Sequence, residues 1–170
     1  MAQTAQQGLQ KVLSNIDSGE VKALFRLMGI ELDFTRTSIM AVEEVINLHF
    51  RNSKNADHAI ILLGAYLGET IVRNTPGAAW DTEDADDIFD IGIKIEMEGG
   101  EHAYIRPLVR VSKYQADPTD GIMIFYDTID ALNKKTVDFK NIADREWVET
   151  PFGRIRKSEY DTKTPPEHYN

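Results

Sequence analysis

Leu62 to Trp80 reads LLGAYLGETIVRNTPGAAW, and this stretch decides the fold. No charged residue occurs from Ala59 to Leu67, so a helix here is apolar around most of its circumference and belongs inside the molecule. Gly64 and Gly68 stand four residues apart on one helix face, where the missing side chains let another element approach closely. Pro76 and Gly77 forbid continuation beyond about Asn74, and Ala78 to Trp80 is expected to follow as a short strand. Small residues at this spacing also pair helices in membranes, but the apolar run is shorter than the roughly 20 residues that cross a bilayer. Glu69 follows Tyr66 on the core-directed row, where an ionised carboxylate needs a partner. Arg73, one turn later, can be that partner.

Working toward the N-terminus, the apolar spacing is helical. Leu9, Val12, Leu13 and Ile16 form one stripe, and Val21, Leu24, Phe25 and Met28 form the next. Asp17 or Ser18 can cap the second helix and Gly29 can end it. An extended connector, Ile30 to Phe34, leads to a third helix opened by Thr37 or Ser38 and carrying Ile39, Val42, Ile46 and Phe50 on its apolar face. His49 is expected at the boundary of that face. Asp57 is expected to cap the central helix.

Toward the C-terminus the period changes to two. Phe89, Ile91, Ile93, Ile95 and Met97 alternate with Asp90, Gly92, Lys94, Glu96 and Glu98, which predicts a strand with one buried face. Gly99-Gly100 can make a two-residue hairpin turn that returns through His102 to Ile105, setting His102 opposite Met97. Pro107 suits the first position of a helix containing Leu108, Val111 and Tyr114. Val109 and Val111 also fit a strand; helix is favoured. Asp120 can cap a last helix bearing Ile122, Phe125, Tyr126, Ile129 and Leu132. The expected architecture is α+β: a helical N-terminal half packed on a small antiparallel sheet, two further helices and a C-terminal tail. Residues 1–135 form the domain in this reading, 136–160 wrap it, and 161–170 form a disordered tail. The basic run Arg154, Arg156 and Lys157 could lie against the acidic hairpin.

At 170 residues, with 42% hydrophobic and 28% charged positions, the chain is long enough to bury one core without staples. It has no cysteine, so disulfides and thiolate chemistry are excluded. The N-terminus lacks a secretory pattern, and a cytoplasmic address is expected. Net charge is −9, and its distribution is uneven. Between Asp81 and Glu101, nine carboxylates face Lys94 alone, a local charge of −8. Such a field repels phosphate backbones, so direct nucleic-acid binding is disfavoured and a protein partner with a basic surface is expected.

The run Leu32-Asp33-Phe34 ahead of a helix, then Gly64-Ala65-Tyr66-Leu67-Gly68-Glu69 with Arg73, then Gly77 and Trp80, resembles a pattern in uncharacterised bacterial domains. Pro107, Val111, Asp120 and Phe125-Tyr126 follow its later half, so the resemblance spans roughly residues 30 to 130. Where those domains commonly carry Gly-Gly-x-Trp, this chain has Gly77-Ala78-Ala79-Trp80. The resemblance implies an interaction role, immunity-like or accessory, and brings no reaction with it.

The residues themselves yield no catalytic, cofactor or metal motif. Asp81, Glu83, Asp84, Asp86 and Asp87 do not fit a calcium loop, because Asp86 occupies the place of the required glycine. His49, His58, His102 and His168 lack zinc-site spacing. A partner surface is therefore expected at Asp81, Glu83, Asp84, Asp86, Asp87, Glu98 and Glu101. Gly64, Tyr66, Gly68, Glu69, Arg73 and Trp80 are expected to form the structural core behind it. Two alternatives are a small hydrolase with Glu69 as base beside Tyr66 and His102, and an acidic mimic of nucleic acid.

Overall fold

Thr4, Ser18 and Thr35 each accept a hydrogen bond from an amide three residues on, and each starts a helix: α1 (Ala5–Ile16), α2 (Gly19–Leu27) and α3 (Arg36–Val45). The computed structural model describes residues 4–51, 53–97, 100, 102–119, 121–134, 147–150 and 153–156. The chain divides into two compact units, Met1–Tyr126 and Asp127–Asn170.

In the first unit α4 (Asp57–Asn74) is the central element, with Leu63, Ala65, Tyr66, Leu67 and Ile71 all fully buried. Its start differs from expectation. Asp57 is the first helical residue and Ala56 the uncapped boundary, so Asp57 acts through its charge at the positive end of the helix. Gly64 and Gly68 set what packs on α4. A Cβ at Gly64 would stand 2.7 Å from the Leu108 Cα, and one at Gly68 would stand 2.2 Å from Trp80 Cη2. The two missing side chains thus admit the backbone of α5 (Pro107–Ala116) at one level and the Trp80 indole at the next.

Three strands form an antiparallel meander: β1 (Ala78–Asp81), β2 (Gly92–Glu96) and β3 (His102–Ile105). Pairing sets Trp80 beside Ile93 and Ile93 beside Ile105 on the core face. Lys94 and Tyr104 lie opposite each other on the outer face, where the Tyr104 ring covers Gly92. Helices on a small antiparallel sheet make this an α+β fold.

Local departures from the sequence reading have physical causes. The strand expected from Phe89 begins only at Gly92, since Asp87 and Asp90 bind backbone amides of a turn and withdraw Phe89 and Asp90 from pairing. Five residues separate the paired Glu96 and His102, so the hairpin loop is longer than two residues and His102 opposes Glu96 rather than Met97. After α3 comes one π turn, Ile46–Phe50. Its extra residue per turn shifts the phase of the apolar face, and the His49 side chain is exposed. Leu24, expected on the buried stripe of α2, is also exposed, and Phe25 carries the burial there.

Helix α6 (Ile122–Asn133) crosses the boundary between the units. At its start the Glu43 carboxylate accepts from the Met123 amide at 2.7 Å, supplying one of the partners that free helix N-termini lack. Expected caps and turn residues at Asp120, Glu98, Gly99 and Glu101 lie outside the described residues. The second unit contains an antiparallel hairpin, β4 (Trp147–Thr150) with β5 (Gly153–Arg156), in a stretch read from sequence as an irregular wrap. Arg154 and Arg156 belong to β5; Lys157 and residues 161–170 lie outside the described residues. Among the described residues, no helix is long and apolar enough to cross a membrane.

Candidate functional site

Phe34 carries a backbone conformation that phenylalanine rarely adopts. Its φ is 59°, in the left-handed region where a Cβ is strained at roughly 1–3 kcal/mol. One face of α4 holds it there. The Phe34 amide donates to the Tyr66 hydroxyl at 2.8 Å, and the Phe34 carbonyl accepts from Asn74 Nδ2 at 2.9 Å. The Phe34 ring lies 5.0 Å from the Tyr66 ring and under the Arg73 guanidinium, 3.6 Å from Cζ to the ring centre. Tyr66, Arg73 and Asn74 lie at helical offsets of seven and eight, so a single stripe makes every one of these contacts.

The hydroxyl network has a definite direction. Ser38 Oγ donates to the Thr35 carbonyl at 2.7 Å, so its 2.6 Å contact with Tyr66 is donated by the phenol. Burial pushes the Tyr66 hydroxyl above its ordinary pKa, against the pull of its hydrogen bonds. It therefore stays protonated and can continue to donate. Asp33 closes the turn in front: burial alone would raise its pKa, but hydrogen bonds from the Thr35 hydroxyl and amide hold it below the usual carboxylate value.

Glu69 ties this stripe to the sheet. Its Oε1 accepts from Arg73 Nε at 2.9 Å and its Oε2 from Trp80 Nε1 at 3.1 Å. Arg73 reaches on to Asp17, between α1 and α2, at 3.4 Å. Burial would lower the Arg73 pKa, but Glu69 and then Asp17 outweigh it and keep the guanidinium charged. The Glu69 side chain is 18% exposed and that of Arg73 41%. The ion pair alone therefore stabilises by at most about 1 kcal/mol after solvent screening, and the hydrogen bond to Trp80 fixes direction as well as energy.

The strand held by this latch leads into the acidic loop. Residues 82–91 connect β1 to β2, and Glu83, Asp84, Asp86 and Asp87 are all exposed. Asp81 accepts from the Glu83 amide, and Asp87 and Asp90 bind backbone amides within the loop. Asp84 adopts a φ of 57°, which aspartate tolerates better than most residues. None of these four exposed carboxylates forms an ion pair among the described residues. No group of three or more acidic or histidine side chains there is arranged to hold a metal ion.

Tyr66, Gly68, Glu69, Arg73 and Trp80 thus come together in one latch, while Gly64 packs apart from it against the α5 backbone. Phe34, Ser38 and Asn74, which the sequence reading placed only in a motif, a helix start and a helix end, join the latch. Asp81, Glu83, Asp84, Asp86 and Asp87 gather on the adjoining loop; Glu98 and Glu101 lie outside the described residues. The arrangement needed for a Glu69 base is not assembled. Both carboxylate oxygens are engaged, the Tyr66 hydroxyl is committed to Phe34 and Ser38, and His102 projects from the opposite face of the sheet to Trp80. Compared with protein-family models, curated proteins and solved structures, the chain matches none.

Proposed function

We propose that this protein is a non-catalytic interaction module of the bacterial cytoplasm, immunity-like or accessory in role, which takes a basic protein partner on its acidic β1–β2 loop. The observation that carries this reading is the set Glu83, Asp84, Asp86 and Asp87, exposed and without ion pairs among the described residues. Four like charges on a ten-residue loop repel one another, and a cationic partner surface relieves that repulsion while steering association. The latch of Glu69, Arg73 and Trp80 anchors the strand that enters the loop, reducing the ordering that binding must impose. Glu98 and Glu101 extend the same charge into the β2–β3 turn in sequence. The resemblance to uncharacterised bacterial domains, which implies an interaction role, supports the same class of function by analogy.

Pull-down from a native host lysate tests the proposal, comparing the natural chain with the triple variant Asp84→Asn, Asp86→Asn, Asp87→Asn. The variant is expected to lose a basic protein that the natural chain retains. An unchanged set of partners overturns the reading.

A further inference from the structure

The meander leaves β3 at a free edge of the sheet. Among the described residues no strand pairs with its outer side, and no hydrogen bond reaches its backbone from elsewhere. An edge strand presents a row of unmatched amides and carbonyls, which proteins commonly blunt with charge, proline, a bulge or a covering element. β1, the other edge, carries Asp81 and is tied to α4 through Trp80. β3 has no such device within it: His102, Ala103, Tyr104 and Ile105 include no carboxylate, lysine, arginine or proline, and they pair with β2 without interruption.

The core also runs out at this strand. Ile93 and Ile95 of β2 are buried, while their partners Ile105 and Ala103 on β3 are only half-buried. A fourth strand would cover both and satisfy the edge backbone in one step. Charge beside the edge decides what that strand carries. The Tyr104 hydroxyl donates to the Asp90 carbonyl at 3.3 Å, which brings the end of the acidic loop to β3. Glu96 lies opposite His102 at the other end. Asp87, Asp90 and Glu96 are exposed and outnumber the nearby cations Lys94 and Arg106, and Glu98 and Glu101 add to them in sequence.

We propose that the basic partner contributes an extended segment that joins β3 as a fourth, antiparallel strand, with cationic residues flanking it at both ends. This rests on the acidic-loop reading above and names the part of the partner that the loop attracts. Antiparallel pairing is the more stable ladder per residue, and it sets the start of the incoming strand beside Ile105, where the acidic loop returns to the sheet. Backbone bonds along the edge supply the affinity, and the flanking carboxylates select positive charge.

Titration of the labelled protein with the synthetic peptide acetyl-KTVRVTK-amide, read by amide chemical shifts and hydrogen exchange, tests the assignment. Saturable shifts are expected from His102 to Ile105, with slowed exchange at alternate amides of that strand. Acetyl-KTPRPTK-amide has the same charge but cannot pair as a strand, and should bind about tenfold more weakly. Acetyl-ETVEVTE-amide should be rejected by like charge. Asp87→Asn with Asp90→Asn should weaken the first peptide about three- to tenfold, asparagine keeping an acceptor for the loop amides that these residues bind. Exchange in the free protein also shows which of Ala103 and Tyr104 turns its amide outward. Ala103→Pro or Tyr104→Pro, chosen accordingly, removes that outward donor and should abolish binding of the peptide and of the host protein; the peptide comparison decides the matter even where this variant fails to fold. A host protein lost by the Asp84, Asp86, Asp87 variant but kept by the folded proline variant leaves the acidic surface standing and overturns the strand. Retention by both variants overturns both. Absence of saturable shifts at β3, equal binding of the proline-bearing peptide, or a concentration-dependent dimer through β3 that excludes the peptide each overturns the assignment as well.

Discussion

Replacing Gly68 by alanine probes the join between helix and sheet. The new Cβ would stand 2.2 Å from Trp80 Cη2, 2.5 Å from Cζ2 and 3.1 Å from Pro107 Cγ. Ordinary carbon contacts are about 3.5–4.0 Å, so the indole must retreat by about 1.3 Å or more. Leu67 and Ile71 on the same helix are fully buried, and overpacking of this kind costs about 1–3 kcal/mol. The retreat also stretches the 3.1 Å hydrogen bond from Trp80 to Glu69, adding about 1 kcal/mol. Alanine's better helix propensity returns about 0.8–1.0 kcal/mol. The net expected loss is about 1–3 kcal/mol, read by urea unfolding followed by far-UV circular dichroism. Trp80→Phe removes the two clashing atoms and the indole donor, and alone should cost about 2–3 kcal/mol. In the double variant the alanine methyl enters vacated space, so the two losses should fail to add by at least 1 kcal/mol. Additivity within about 0.5 kcal/mol, or a Gly68→Ala variant as stable as the natural chain, refutes the argument that the glycine exists to receive the indole.

Tyr66→Phe should destabilise by about 1–3 kcal/mol, because the Phe34 amide loses its acceptor in a part-buried place; urea unfolding measures it, and no loss shows that Phe34 needs no clamp. Alkaline titration should expose the same phenol. Its folded pKa is raised, so its contribution is complete below the unfolded value of about 10 and disappears as pH climbs through the folded value. Tyr66→Phe should flatten that limb of the stability profile. Asp33 works in the opposite sense. Its folded pKa is depressed, so its contribution is present above the ordinary aspartate value and is lost as pH falls through the folded one, and Asp33→Asn should remove that acid-sensitive component. Gly8→Ala should raise stability by about 0.5–1 kcal/mol, a gain opposite in sign to Gly68→Ala and measurable in the same assay.

Much of this architecture was readable because it depends on spacing. The uncharged run Ala59 to Leu67 identified α4 as interior, the Pro76-Gly77 break ended it, and Ile93 and Ile95 showed which face of β2 is buried. The positions of Glu69, Arg73 and Trp80 near one another followed from one helical turn and a short link. Phe34 could not be found this way, since nothing about phenylalanine announces a left-handed backbone. Its clamp is assembled from Tyr66 and Asn74, more than 30 residues distant in sequence. The Asp87–Asp90 turn escaped notice because an alternating pattern does not register side chains binding their own backbone. Likewise the π turn at Ile46–Phe50 left no compositional trace, and the β4–β5 hairpin lies where apolar spacing is irregular.

Photocrosslinking from the loop itself tests the central claim most directly. With Asp86→p-benzoylphenylalanine in the otherwise natural chain, irradiation in the native host should yield an adduct with one basic protein. Adding Asp84→Asn and Asp87→Asn, or raising the salt before irradiation, should remove that adduct. A loop that captures nothing, or captures the same protein after its charge is removed, contradicts an acidic docking surface on this fold.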